Sequence, residues 1–135
     1  MGDVPAAVAA NRRALLARMP AGSAIQWLQQ VHGSRAVVAV GDGRTPAADA
    51  SVSRCPGLAC AVLTADCLPV LLCDRAGSVV GAAHAGWRGL AAGVLEATIA
   101  AMQVPGSAIL AWLGPAIGPA HFEVGSEVRE QFLLS

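Results

Sequence analysis

Three apolar runs, residues 58–64, 70–73 and 79–83, follow one another with only short breaks between them. Each is strand-sized, and none alternates strictly between apolar and polar positions. Such strands belong to a sheet covered on both faces, because an open face would call for a polar residue at every second position. The chain must then supply the helices that cover the sheet. Asp3 is placed to cap one, with Pro5 in its first turn, Val8, Leu15, Leu16 and Met19 as its apolar positions, and Pro20-Ala21-Gly22 ending it. A second is expected over residues 86–102, closed by Pro105-Gly106, and a third over 125–134. Residues 25–31, 35–40, 50–52 and 109–113 read as further strands, with a turn at His32-Gly33-Ser34 and loops at 41–48 and 114–119. Nothing repeats internally. The expected class is α+β, a mixed β-sheet covered by helices in an α/β sandwich.

A chain of 135 residues is the length of a single domain, able to bury about two-thirds of its unfolded surface without disulfides. It is 55% hydrophobic and 13% charged, which excludes a disordered segment. Nine arginines balance nine acids, there is no lysine, and the formal charge is zero. No basic field is therefore present to attract nucleic acid or anionic lipid, and neither is an expected partner. No apolar run approaches the roughly 20 residues of a membrane span. Met1-Gly2-Asp3-Val4-Pro5 lacks the basic and apolar regions of a secretory leader, so the cytoplasm, with reduced thiols, is the expected compartment. Nothing in the chain specifies an oligomeric state.

Four cysteines, Cys55, Cys60, Cys67 and Cys73, contain no C-x2-C pair, which argues against a zinc knuckle. Cys60 and Cys73 sit inside apolar runs, where a thiol acts as a small hydrophobe. Cys67 does not. It follows Asp66 just after a strand, as His32 and His84 also lie where strands give way to loops. Side chains at strand ends can converge in one crevice. Two imidazoles and a thiolate form a three-ligand zinc set that leaves the fourth position open for chemistry. The same three ligands with an axial Met would make an electron-transfer copper site, but Met19 and Met102 both fall within predicted helices. Zinc is the first expectation for the cofactor, with copper the other metal the set accepts. A metal-free alternative uses Cys67 as nucleophile and His84 as its base, with Asp66 orienting the ring. Arg88 follows a Gly-Trp pair at a predicted helix start and is the phosphate candidate. Asp66 is the candidate acid or base, or the group that holds a ligand histidine's second nitrogen. Trp87 is a stacking or packing residue, His121 a further surface candidate, and Gly86 and Gly89 allow close packing at the turn.

Four segments carry a resemblance: Gln30-Val31-His32-Gly33, Thr64-Ala65-Asp66-Cys67-Leu68-Pro69-Val70, His84-Ala85-Gly86-Trp87-Arg88-Gly89, and Gly114-Pro115-Ala116-Ile117-Gly118-Pro119 followed by Phe122-Glu123-Val124. In this order they resemble the laccase-domain polyphenol oxidase family, now regarded as zinc-dependent purine nucleoside phosphorylases. The resemblance runs from Asp3 to the last residue. It implies a metal site of His32, Cys67 and His84, and purine nucleosides (adenosine, inosine, methylthioadenosine) and phosphate as partners. Adenosine deamination and copper-dependent phenol oxidation are further activities ascribed to the family. It also implies a fold similar to the catalytic domain of the cytotoxic necrotizing factors, which are cysteine hydrolases. Ala120 and Phe122 stand where the family usually has Cys and Tyr, which removes any hydroxyl role at position 122. Asp49 is kept in a stretch, Ala48-Asp49-Ala50-Ser51-Val52-Ser53, that otherwise matches only in part. The family domain usually extends beyond both ends of this chain, so residues 1–135 correspond to its central part. That leaves a second expectation beside the enzyme: an inactive metal-binding fragment.

Overall fold

The structure is a computed structural model and describes residues 3–134. Met1 and Gly2, part of the segment read for a leader, and Ser135 lie outside the described residues. In chain order the elements are α1 (Pro5–Leu16), β1 (Ala24–Gln26), β2 (Ala36–Val38), β3 (Ala50–Ser53), β4 (Leu58–Cys60), β5 (Leu68–Asp74), β6 (Val80–Ala85), α2 (Trp87–Ala91), α3 (Val94–Met102), β7 (Ile109–Leu113) and α4 (Ser126–Leu133). Five strands form one sheet in the order β2-β3-β6-β5-β7, with β2 and β3 parallel and the remaining pairs antiparallel. A parallel ribbon of β1 and β4 forms the second sheet. The mixed sheet and its helices make the α+β class expected from the sequence.

Alternation along β6 explains how the core closes. Gly81, Ala83 and Ala85 share one side of the strand, and a Cβ at Gly81 would sit 3.4 Å from both Thr98 Cγ2 and Val52 Cγ1. Small residues on β6 therefore let α3 approach, and Val94, Thr98 and Met102, at helical spacing, are all fully buried beneath it. Ala50 and Val52 of β3 and Val70 and Leu72 of β5 complete this core. On the opposite side, β4 packs against β3 and β6.

That ribbon covers only part of the sheet. All four residues of β3 and all but the first of β6 are buried, as the apolar runs predict. Leu71 on β5 and Leu110 and Trp112 on β7 are 44%, 44% and 56% exposed. Coverage on both faces thus holds for the middle of the sheet and fails at its β7 edge.

Four local expectations are corrected. Asp3 does not cap α1: Val4 is the N-cap residue, Asp3 only accepts a hydrogen bond from the Val4 N–H, and none of the helix's residues is buried. The expected strand over 25–31 shortens to β1 because Gln26 turns its amide inward to the carbonyls of Trp27 and Arg44. The helix expected over 86–102 breaks in two at Gly93, which adopts φ +86, a left-handed conformation open to glycine at little cost. In the strand reading, Leu58 to Thr64 ends early, at Cys60.

The β5–β6 hairpin fixes which residues meet where these two strands end. Its turn is pinned by the Asp74 carboxylate, which accepts hydrogen bonds from the Ser78 hydroxyl, the Ser78 N–H and the Val79 N–H. The resulting register sets Leu68 opposite Ala85 and Pro69 opposite His84.

Candidate metal centre

Register alone brings two of the three expected ligands together. With Leu68 opposite Ala85, Cys67 falls beside Gly86, two residues along from His84. Parity along β6 places His84 on the side away from α3, where it is 3% exposed. The third ligand comes from the loop after β1, where His32 is held at φ +60, a conformation rare for a residue with a side chain. One ligand atom from each of His32, Cys67 and His84 lies within 4.8 Å of the others. The two imidazoles meet edge to face, with centroids 4.8 Å apart. His32 is exposed, Cys67 half-buried and His84 buried, so the cluster opens to solvent on one side.

Glycine at position 86 is what admits the thiol. A Cβ there would lie 2.8 Å from Cys67 Sγ and 3.4 Å from His32 Cδ2. Backbone conformation does not require glycine, since φ is −66; the space does. Gly89 is restricted differently, its absent Cβ facing the Gly33 carbonyl at 3.0 Å. A second clamp joins the two loops: the Gln30 amide donates to the Leu63 carbonyl and accepts from the Leu63 N–H, both at 2.7 Å.

The carboxylate beside the ligands is Asp49, not Asp66. Asp49 is fully buried, and its Oδ1 lies 2.9 Å from His84 Nδ1. It also accepts hydrogen bonds from the backbone N–H groups of Val31, His32 and Gly33. Burial works against its charge, but the His84 ring and the three N–H donors outweigh that effect and hold the carboxyl below its usual range. An ionised carboxylate can only accept, so this hydrogen bond calls for a hydrogen on His84 Nδ1 and leaves Nε2 as the ring nitrogen available to a metal. Sequence reading missed this role. The available signal was an acid set among Ala47, Ala48, Ala50 and Val52, where an unpaired charge would be costly.

Burial, with the negative charges of Asp66 and Asp49, pushes the Cys67 thiol above its usual range. That environment is the reverse of the one that activates a nucleophilic cysteine. Two imidazoles, one of them hydrogen-bonded to a carboxylate through Nδ1, a thiol, a glycine that leaves room for it and one open side together fit a bound divalent metal.

The other expected residues surround the cluster. Asp66 is exposed, and its backbone carbonyl accepts from the Ile117 N–H. With Cys67, Trp87, Leu90, Ile117 and Phe122 it borders an apolar cleft of about 190 Å³ next to the cluster. Arg88 is exposed in the first turn of α2, with its guanidinium 4.3 Å over the Trp87 ring and no ion-pair partner among the described residues. Because α2 has only five residues, Arg88 rather than the helix end must carry any anion contact. His121 is exposed on the single-turn helix Pro119–His121. Cys60 and Cys73 lie half-buried in β4 and β5, and all four cysteines are free.

Fold and site together define an α+β domain in which His32, Cys67 and His84 form a cluster able to hold a metal ion beside an apolar cleft. The chain belongs to the family described as multi-copper polyphenol oxidoreductase laccase, whose model matches residues 1–135. It is 58% identical over 133 residues to a purine nucleoside phosphorylase of Pseudomonas aeruginosa, covering 98% of this chain and 54% of that protein. It is 56% identical over 133 residues to the purine nucleoside phosphorylase YfiH of Escherichia coli, covering 98% and 55%. Among solved structures, a Neisseria meningitidis protein superposes with a TM-score of 0.93 at 53% identity, covering 98% of this chain and 55% of that one. YlmD of Geobacillus stearothermophilus superposes with a TM-score of 0.88 at 29% identity, covering 96% and 54%. The chain thus spans about half the length of the curated relatives it matches. No described helix is long and apolar enough to cross a membrane.

Proposed function

We propose that this chain carries the metal centre of a purine nucleoside phosphorylase that acts on adenosine, inosine and methylthioadenosine with phosphate. The observation that carries the reading is the convergence of His32, Cys67 and His84 beside an apolar cleft. Relatives named purine nucleoside phosphorylase, at 56–58% identity, support it. Zinc is the metal we assign; held by His32, Cys67 and His84, it would supply Lewis-acid stabilisation of negative charge.

In phosphorolysis a phosphate oxygen bonds to C1′ of the ribose as the bond from C1′ to purine N9 breaks. The electron pair leaves with the purine, which takes up a proton; the products are ribose 1-phosphate and the free base. Trp87, Leu90, Ile117 and Phe122 hold the flat base and exclude water from it. Arg88, steadied on the Trp87 ring, holds the phosphate. The proton the purine takes up is the one that hydrogen phosphate gives up on bonding to C1′, and Asp66, exposed at the rim, relays it. Deamination of adenosine by the same site would need water in place of phosphate and is read separately, as ammonia release.

The test is release of hypoxanthine from inosine by the zinc-loaded chain, with and without phosphate. Arg88→Ala is expected to lower kcat/KM for phosphate about 10- to 100-fold, the equivalent of a lost charge-assisted hydrogen bond of about 1.5–3 kcal/mol. Base release that is independent of phosphate, or unchanged in Arg88→Ala, would contradict these assignments.

One observation favours a second reading. Because the chain covers 54–55% of its relatives' length, it can be a metal-binding segment that does not turn over alone. That reading predicts zinc without phosphorolysis, and phosphorolysis when these residues are part of a polypeptide of the relatives' full length. Within these 135 residues a multi-copper site is not favoured: they hold three histidines, and two of them are in this one cluster.

A further inference from the structure

We propose that Asp49 is the positioning residue of the metal centre: one carboxylate sets both histidine ligands before any metal arrives. The proposal rests on the metal-centre reading and concerns how the site is built. Four donors meet this carboxylate. Oδ1 takes the His32 N–H at 2.9 Å and faces His84 Nδ1 at 2.9 Å; Oδ2 takes the Val31 N–H at 3.1 Å and the Gly33 N–H at 2.8 Å. Asp49 thereby controls His84 through its ring, fixing which nitrogen faces the cluster. It controls His32 through its backbone, holding the loop in the positive-φ conformation that aims the imidazole inward. The two ligands lie far apart in the sequence and on different elements, and this side chain is hydrogen-bonded to both. Its own place is secured by the sheet, because the Asp49 carbonyl accepts the His84 N–H at 2.7 Å and the Asp49 N–H donates to the Arg35 carbonyl.

The geometry makes a sharp prediction for Asp49→Asn, which changes one atom and almost no volume. All four groups around the carboxylate point hydrogens at it, whereas an amide accepts at only one end. If the amide nitrogen takes the Oδ2 position, the N–H groups of Val31 and Gly33 lose their acceptor and the His32 loop is released. If it takes the Oδ1 position, the amide donates to His84 Nδ1, the hydrogen moves to Nε2, and the ligand lone pair is lost. Either orientation removes one histidine from the site.

The test uses the 135-residue chain at neutral pH and has a part that needs neither metal nor variant. In the metal-free parent, nitrogen-15 NMR should show His84 with its hydrogen on Nδ1, and the amides of Val31, His32 and Gly33 should exchange slowly although they lie in a loop. Asp49→Asn should lose one of these two signatures and bind zinc about 10- to 100-fold more weakly in chelator competition, the usual cost of removing a ligand's hydrogen-bonding partner. A mixed His84 tautomer with fast exchange at 31–33 in the metal-free parent would overturn the proposal, as would zinc affinity in Asp49→Asn within about twofold of the parent, well short of that cost. Failure of the metal reading looks different: the parent would show both NMR signatures and bind no zinc.

Discussion

Cys67→Ala is expected to weaken zinc binding by about 100-fold or more while leaving the fold in place. Even the loss of a supporting partner to a metal ligand costs about 10- to 100-fold, and Cys67 is the cluster's one thiol. Because it lies outside the buried core cluster, at the end of a strand, its truncation opens no cavity there. Chelator competition would give the affinity, and a thermal melt of the metal-free protein would show that the fold persists. Zinc affinity unchanged in a folded Cys67→Ala would remove the thiol from the site. Loss of activity with zinc retained would instead favour the Cys67 and His84 dyad.

Gly86→Ala should have an effect of similar size from a change that adds one methyl group and removes no ligand. The new Cβ would stand 2.8 Å from Cys67 Sγ, and the neighbour is the short, rigid side chain of a half-buried residue rather than the tip of a flexible one. His32 Cδ2, at 3.4 Å, limits movement on the other side. The sulfur must move out of the cluster or the loop must shift, so zinc affinity is expected to fall at least about 10-fold. Overpacking should also lower stability by about 1–3 kcal/mol. Gly106→Ala is the matched control, since a Cβ there meets nothing within 4 Å and φ is not in the left-handed region. Equal zinc affinity in Gly86→Ala and the parent would mean that the thiol is not positioned as described.

Much of the fold and the site is legible in the sequence, and for physical reasons. The uninterrupted apolar run at 79–83 marks β6 because a strand buried on both sides leaves no polar imprint, and the runs at 70–73 and 109–113 match β5 and β7. His32, Cys67 and His84 stand out because each is a metal-binding side chain where the sequence pattern leads one to expect a strand to stop. In the structure only His84 lies near a strand's end, His32 following β1 by six residues and Cys67 directly preceding β5. The break at Gly93 is harder to see, since an isolated glycine can also sit within a continuous helix. Asp49 shows only as part of a partly matching stretch, because its partners are three backbone N–H groups and a ring 35 positions away. Backbone donors leave no mark on a sequence. The exposed apolar side of β5 and β7 is invisible for a related reason: a strand's pattern does not say where its cover stops.

The central claim is that His32, Cys67 and His84 bind one metal ion together. X-ray absorption at the zinc edge, on the chain loaded with one equivalent of zinc, tests it most directly. A three-ligand centre of this kind predicts a single sulfur and two imidazole nitrogens in the coordination shell, with the remaining position taken by a light atom, and loss of the sulfur signal in Cys67→Ala. A shell with no sulfur, or with sulfur from more than one cysteine, would contradict it.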